Sequence, residues 1–116
     1  MGEPKTLSTV AAPATTDLAA IRVQDDAMAP IYCPGDVLLY RRPDEHLALQ
    51  PGDDVLVLLA GPGGSLQLVL RRLIHWDRET LELHAINPSY PPIREHPRNA
   101  VLCGQVTGQL SQAVLH

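Results

Sequence analysis

The chain has 116 residues, a mass of 12.6 kDa, 45% hydrophobic and 19% charged residues, figures that suit one globular domain and argue against disorder. Phe is absent and only Trp76, Tyr32, Tyr40 and Tyr90 carry large rings, so the core must be aliphatic and base-stacking platforms for single-stranded nucleic acid are not expected. A net charge of −4 opposes a direct grip on phosphates, and the nine basic residues are eight arginines plus Lys5, which leaves the folded part without a lysine.

Residues 1–20 are rich in Ala, Thr and Pro with weak periodicity and read as a flexible arm or linker remnant. No charged segment followed by a long apolar stretch opens the chain, and no run approaches the roughly 18–20 apolar residues of a membrane span. The expectation is a cytoplasmic protein without a membrane partner. From Ile21 the pattern is mostly β. Ile21-Arg22-Val23-Gln24 alternates with period two, and Met28-Ala29-Pro30-Ile31 reads as a turn. Pro34-Gly35-Asp36 then launches Val37-Leu38-Leu39-Tyr40 as a buried strand. Arg41 to Gln50 reads as a loop, after which Pro51-Gly52-Asp53 repeats the turn chemistry ahead of Val55-Leu56-Val57-Leu58-Leu59. Gly61-Pro62-Gly63-Gly64 makes a hairpin loop, and Ser65 to Ile74 returns as a long strand. Thr80 to Ala85 alternates again, Asn87-Pro88-Ser89-Tyr90-Pro91-Pro92 is a rigid loop, and Ala100 to Leu110 is the last strand, with Gly104 and Gly108 as bulges or points of close approach. No long helix is expected.

Some residues invite a chemical reading and receive a plainer one. Asp36 and Asp53 follow Pro-Gly and read as turn residues whose carboxylates accept backbone N–H groups. His46, His75, His84, His96 and His116 show no close pair, so no metal and no cofactor is expected. Cys33 and Cys103 read as two reduced thiols, although their spacing leaves a single bridge open. Arg41-Arg42 and Arg71-Arg72 read as exposed strand ends, Ser65 and Ser89 as polar loop residues, and Trp76 as a core edge or an interface.

The order of the motifs says more than any one of them. The chain runs Val23-Gln24-Asp25-Asp26-Ala27-Met28-Ala29-Pro30, then Pro34-Gly35-Asp36-Val37, then Pro51-Gly52-Asp53-Asp54-Val55, Leu70-Arg71-Arg72-Leu73, Asn87-Pro88-Ser89-Tyr90-Pro91-Pro92 and Cys103-Gly104-Gln105-Val106. This succession resembles the C-terminal domain of LexA-like and lambda-type phage repressors, the S24 peptidase family, which also holds the UmuD-type polymerase accessory proteins. The family pattern is V-x-G-D-S-M-x-P, then D-G-D, G-D, V-K-R-L and N-P-x-Y-x-P. The resemblance covers about residues 21–110, leaving 1–20 as the arm and 111–116 as a tail. It implies a mainly β, compact domain of short, strongly bent antiparallel strands.

The resemblance also implies self-cleavage of a linker by a serine–lysine dyad, in which a buried neutral amine takes the proton of the hydroxyl. Here the serine position is Ala27 and the lysine position is Arg71. A methyl group is no nucleophile, and a guanidinium stays protonated. Asp25 replaces the glycine of the motif, which puts the local turn in question. The expectation is a pseudo-peptidase with no catalytic residue, Ala27 and Arg71 as degenerate dyad positions, and Asp25, Asp26, Met28, Pro30 and Arg72 around a vestigial cleft. Arg71 is expected to reach solvent or to pair with Asp25 or Asp26. What such a domain retains is binding. The resemblance implies self-association as a homodimer or higher oligomer, here through Val101, Leu102, Val106, Leu110 and Val114. DNA would be reached through a helix-turn-helix domain outside this chain, and the linker peptide would occupy the cleft. The alternatives are a UmuD-like accessory protein that binds another protein, and an autocleaving peptidase inactivated by deliberate substitution.

Overall fold

The computed structural model describes residues 18–110. Seven strands follow one another: β1 (Leu18–Arg22), β2 (Val37–Arg41), β3 (Asp54–Ala60), β4 (Leu66–Trp76), β5 (Leu81–His84), β6 (Ile93–Glu95) and β7 (Ala100–Leu110). They form one antiparallel sheet in the order β1-β2-β7-β3-β4-β5-β6. The helical pieces among the described residues are two three-residue 3-10 turns, Pro62–Gly64 and Pro97–Asn99. The mainly β, helix-poor fold expected from the punctuation is the one observed. The arm up to residue 17 and the tail 111–116 lie outside the described residues.

Three elements differ from the expectation. β1 starts at Leu18 rather than Ile21, because pairing from Leu18↔Arg41 to Arg22↔Val37 carries Ala19 and Ala20 into the ladder although alanine contributes little strand preference of its own. The same pairing makes Arg41 the end of β2 rather than the start of a loop. β6 is unforeseen. Its three residues lie between Pro92 and Pro97 and form a strand through pairing with Leu81–Leu83.

The two Pro-Gly-Asp segments fold alike. Gly35 and Gly52 have φ of 95° and 98°, a region that side chains avoid and a turn of this type requires. Asp36 Oδ2 accepts from the Cys33 N–H at 2.9 Å, and Asp53 Oδ2 accepts from the Gln50 N–H at 2.9 Å. β7 then joins the pair: Gln109 Nε2 donates to Asp36 Oδ2 and Gln105 Nε2 donates to Asp53 Oδ2, each at 3.0 Å. The strands launched by these turns, β2 and β3, flank β7 on its two sides.

β7 is shared between two half-sheets. Gln105–Leu110 pairs with β2, and Ala100–Gln105 pairs with β3. Both registers slip near a glycine, between Leu39 and Tyr40 opposite Gly108 and between Leu56 and Val57 opposite Gly104. At Gly104 a side chain would strike the Tyr40 ring, so the bend depends on hydrogen there, whereas a methyl at Gly108 would meet Leu39 at an ordinary 3.6 Å. The main core comprises Val55, Val57, Val69, Leu73, Leu81 and Leu83, with Leu49, Trp76, Ala100 and Leu102 packed at its border. Val23, Ala27, Met28 and Leu38 are buried as well.

Candidate functional site

The segment Asp25-Asp26-Ala27 leaves the first half-sheet as a tight turn. Asp25 Oδ1 accepts from the Ala27 N–H at 3.1 Å, so the aspartate that replaces the motif glycine holds the turn through its side chain. The rigid loop Asn87–Pro92 folds onto this turn. The Asn87 N–H donates to the Ala27 carbonyl at 2.9 Å, Asn87 Nδ2 donates to the Asp26 carbonyl at 3.2 Å, and the Tyr90 hydroxyl donates to Asp26 Oδ1 at 2.8 Å. That last bond, with some burial, raises the Tyr90 phenol above its ordinary range, while Arg71 pulls it down. Ala27 has no exposed surface.

Arg71 approaches the same cluster from β4. Its neighbour across the ladder is Val55, and Val69 and Leu73 stand on its side of the strand, so its side chain enters from the core face. It is 6% exposed. The guanidinium carbon lies 5.3 Å from the centre of the Tyr90 ring, a cation–π contact, and one terminal nitrogen donates to the Leu70 carbonyl at 2.8 Å. Nε is buried without a hydrogen-bond partner, and among the described residues no carboxylate pairs with the group. The expectation of a solvent-facing or aspartate-paired Arg71 is therefore corrected. Asp25 and Asp26 are already engaged by Ala27 and Tyr90, and the strand parity sends residue 71 inward.

The other residues read into the cleft separate. Met28 is buried to 1% exposure and anchors the turn, while Pro30 is exposed and follows a cis peptide bond. Arg72 faces the opposite side of the sheet. Its Nε and one terminal nitrogen donate to the two oxygens of Asp54 at 2.8 and 3.1 Å, a bidentate pair. Tyr32 donates its hydroxyl to Asp54 Oδ2 at 2.7 Å, and burial first, then this bond, pushes its phenol up to about 12. Tyr32, Asp54, Asn87 and Tyr90 went unnamed as site residues. A sequence cue existed for Asn87 and Tyr90, both within Asn-Pro-x-Tyr; the pairing of Asp54 with Arg72 appears only once the register of β3 on β4 is known.

Beside the cluster lies a slot of about 180 Å³ lined by Ile21, Val23, Gln24, Asp25, Leu56, Leu68, Val69 and Leu70. One wall is the chain from the end of β1 to Asp25. The other is the edge of β4 ahead of Arg72, which β5 does not cover because their pairing begins at Arg72. Of the residues read as a self-association surface, Val101 and Leu110 are 60% and 40% exposed, Leu102 and Val106 are half-buried, and Val114 lies outside the described residues. Cys33 and Cys103 are both free thiols. Among the described residues no cluster of three or more metal-ligating side chains occurs, and no helix is long and apolar enough to cross a membrane.

This turn, the core-side basic residue of β4 and the Asn-Pro-Ser-Tyr loop are arranged on a sheet whose sequence motifs match one family. A sequence model described as Peptidase S24-like matches residues 4–107, and the chain belongs to that family. The matched span starts ahead of residue 21, where the composition changes. No curated protein matches the chain significantly.

Proposed function

We propose that this chain is a catalytically silent LexA-like domain that self-associates as part of a transcriptional repressor of phage or SOS type, in the cytoplasm, with DNA read by a separate helix-turn-helix domain. The silence is a matter of chemistry. Alanine at position 27 offers no oxygen to attack an amide, and arginine at position 71 offers no free electron pair to take a proton. A slot without a nucleophile still holds a linker peptide, as a latch that is not cut.

The observation that carries self-association is the half-covered last strand. β2 lies on one side of Gln105–Leu110 and β3 on the other side of Ala100–Gln105, so among the described residues each half of β7 has one edge outside the ladder. Among the described residues no loop backbone bonds to either open edge. An open strand edge invites another strand, and two copies of Val106–Leu110 meeting antiparallel about a two-fold axis satisfy both at once. Joining two weak DNA readers in this way raises avidity by roughly 10²–10⁴.

Light scattering behind size-exclusion chromatography tests this: a dimer or higher species is expected, and Leu110→Lys is expected to dissociate it. A strict monomer at high concentration overturns the reading. The chemical half is tested by Ala27→Ser combined with Arg71→Lys. Linker cleavage at alkaline pH is expected only in the double variant, and cleavage by Ala27→Ser alone would show that Arg71 does not block the reaction.

A further inference from the structure

We infer that the chain ahead of Leu18 passes the end of β2 and seats its aliphatic segment Leu7–Val10 in a pocket beside Trp76. The inference goes beyond the function proposed above, since it uses neither the slot beside Ala27 nor the edge of Val106–Leu110. It leaves that slot to a peptide from outside this stretch of chain.

The pocket, of about 330 Å³, is lined by Pro43, Asp44, Leu47, Leu49, Trp76 and Leu102. Leu49, Trp76 and Leu102 pack against the core, yet they and Leu47 are only half-buried. Aliphatic and indole surface left partly in water is stabilised by an apolar cover. The adjoining main chain is uncovered too. β2 pairs with β7 only from Gln105 onward and ends at Arg41, so among the described residues Ala100–Gly104 have an edge outside the ladder on that side. Leu102 stands in the middle of this edge and also lines the pocket. A segment arriving there gains main-chain hydrogen bonds and a place for its apolar side chains together.

The strand directions and the composition of the chain select the occupant. Leu18 stands across the ladder from Arg41, and Arg41 donates to both oxygens of Asp44 in the pocket wall, at 3.0 and 3.2 Å. β1 and β7 both run antiparallel to β2, so chain leading into Leu18 comes from the direction of Leu102. By ordinary sheet dimensions Leu102 lies roughly 14 Å from Leu18, whereas the steps from Val10 to Leu18 span up to about 26 Å. Residues 6–16, between Lys5 and Asp17, are eleven consecutive uncharged residues, and Leu7 and Val10 are the large aliphatic ones among them. They enter an apolar pocket without burying a charge. Lys5, two residues ahead of Leu7, complements the acidic pair Asp44-Glu45 at the rim. A tethered segment also has a high effective concentration at the pocket, which a second molecule does not.

Trp76 is the only tryptophan of the chain and forms part of the pocket wall, so its fluorescence reads occupancy directly. The intact wild type is compared with Leu7→Asp/Val10→Asp and with the conservative Leu7→Ile/Val10→Ile. The aspartate variant is expected to show red-shifted emission and acrylamide quenching at least twofold stronger than the wild type, and the isoleucine variant neither. Unchanged circular dichroism separates an emptied pocket from an unfolded chain, and Leu7→Ala/Val10→Ala carries the same comparison should the aspartates unfold it. Emission and quenching that are equal in the wild type and the aspartate variant overturn the inference. Wild-type shielding of Trp76 that is lost on dilution also overturns it, because the occupant is then a second copy. Light scattering on the same samples keeps the two proposals apart: a monomer with a shielded Trp76 sinks self-association alone, and a dimer whose Trp76 ignores the variants sinks this inference alone.

Discussion

Arg71 and Arg72 are adjacent on β4, and the sheet treats them oppositely. Arg72 projects to the face where Asp54 stands directly across the ladder, and it forms a bidentate pair braced by the Tyr32 hydroxyl. Arg71 projects to the face where Val55 stands across the ladder, and it finds a ring and one carbonyl of its own strand. The two have the same chemistry and differ by one residue in parity. A buried charge with a matched partner is structural, whereas a buried charge without one is a feature the fold tolerates rather than uses. Arg72 therefore belongs to the framework, and Arg71 is the group the framework does not depend on.

The largest test of that contrast is Asp54→Ala. It strips the partner from Arg72 and the acceptor from Tyr32. Breaking a fully buried pair costs about 3–5 kcal/mol, and because a third of the Arg72 side chain remains exposed, a loss of about 2–3 kcal/mol is expected in urea unfolding. Arg71→Met, read the same way, is expected to shift stability by less than about 1 kcal/mol. Losing the cation–π contact and the Leu70 bond is offset by removing an orphaned donor and an uncompensated charge. A loss in Arg71→Met as large as in Asp54→Ala would mean that Arg71 has a structural partner, and the contrast would fail.

The contrast also marks how far the sequence could be read. The Pro-Gly-Asp turns were legible because proline fixes one dihedral, glycine permits the next, and aspartate accepts the N–H groups left over, all within a few residues. The last strand was legible from its length and flanking residues, and its two glycines from the need to bend. Ala27 and Arg71 stood out because the order of the motifs placed them, not because of any local pattern. Their surroundings were not legible. Which loop closes over Ala27 depends on contacts more than sixty residues apart, from Asn87 and Tyr90 to Asp26. Asp54 reads locally as the end of a turn, yet it is nearly buried because Arg72 stands across from it. The half-coverage of β7 among the described residues is likewise a property of strand pairing, and the residue pattern of that strand carries no sign of it.

A pH dependence separates the two faces again. Tyr32 has its phenol raised to about 12 by burial and by the bond to Asp54, against about 10 in an unfolded chain. A raised folded value means that the folded state holds the proton more tightly. The stabilisation is full below pH 10, declines as the unfolded phenol ionises, and is gone above about pH 12. Thermal melts between pH 9 and pH 12 are therefore expected to fall more steeply for the wild type than for Tyr32→Phe, which has no proton to lose. Asp54→Ala is expected to flatten the same slope, since it removes the second cause of the shift and loosens the first. Arg71→Met is expected to leave it unchanged, because that side chain lies on the other side of β4. A slope that Arg71→Met also flattened would show that the two faces of the strand communicate, and Arg71 would then have to be counted with the framework.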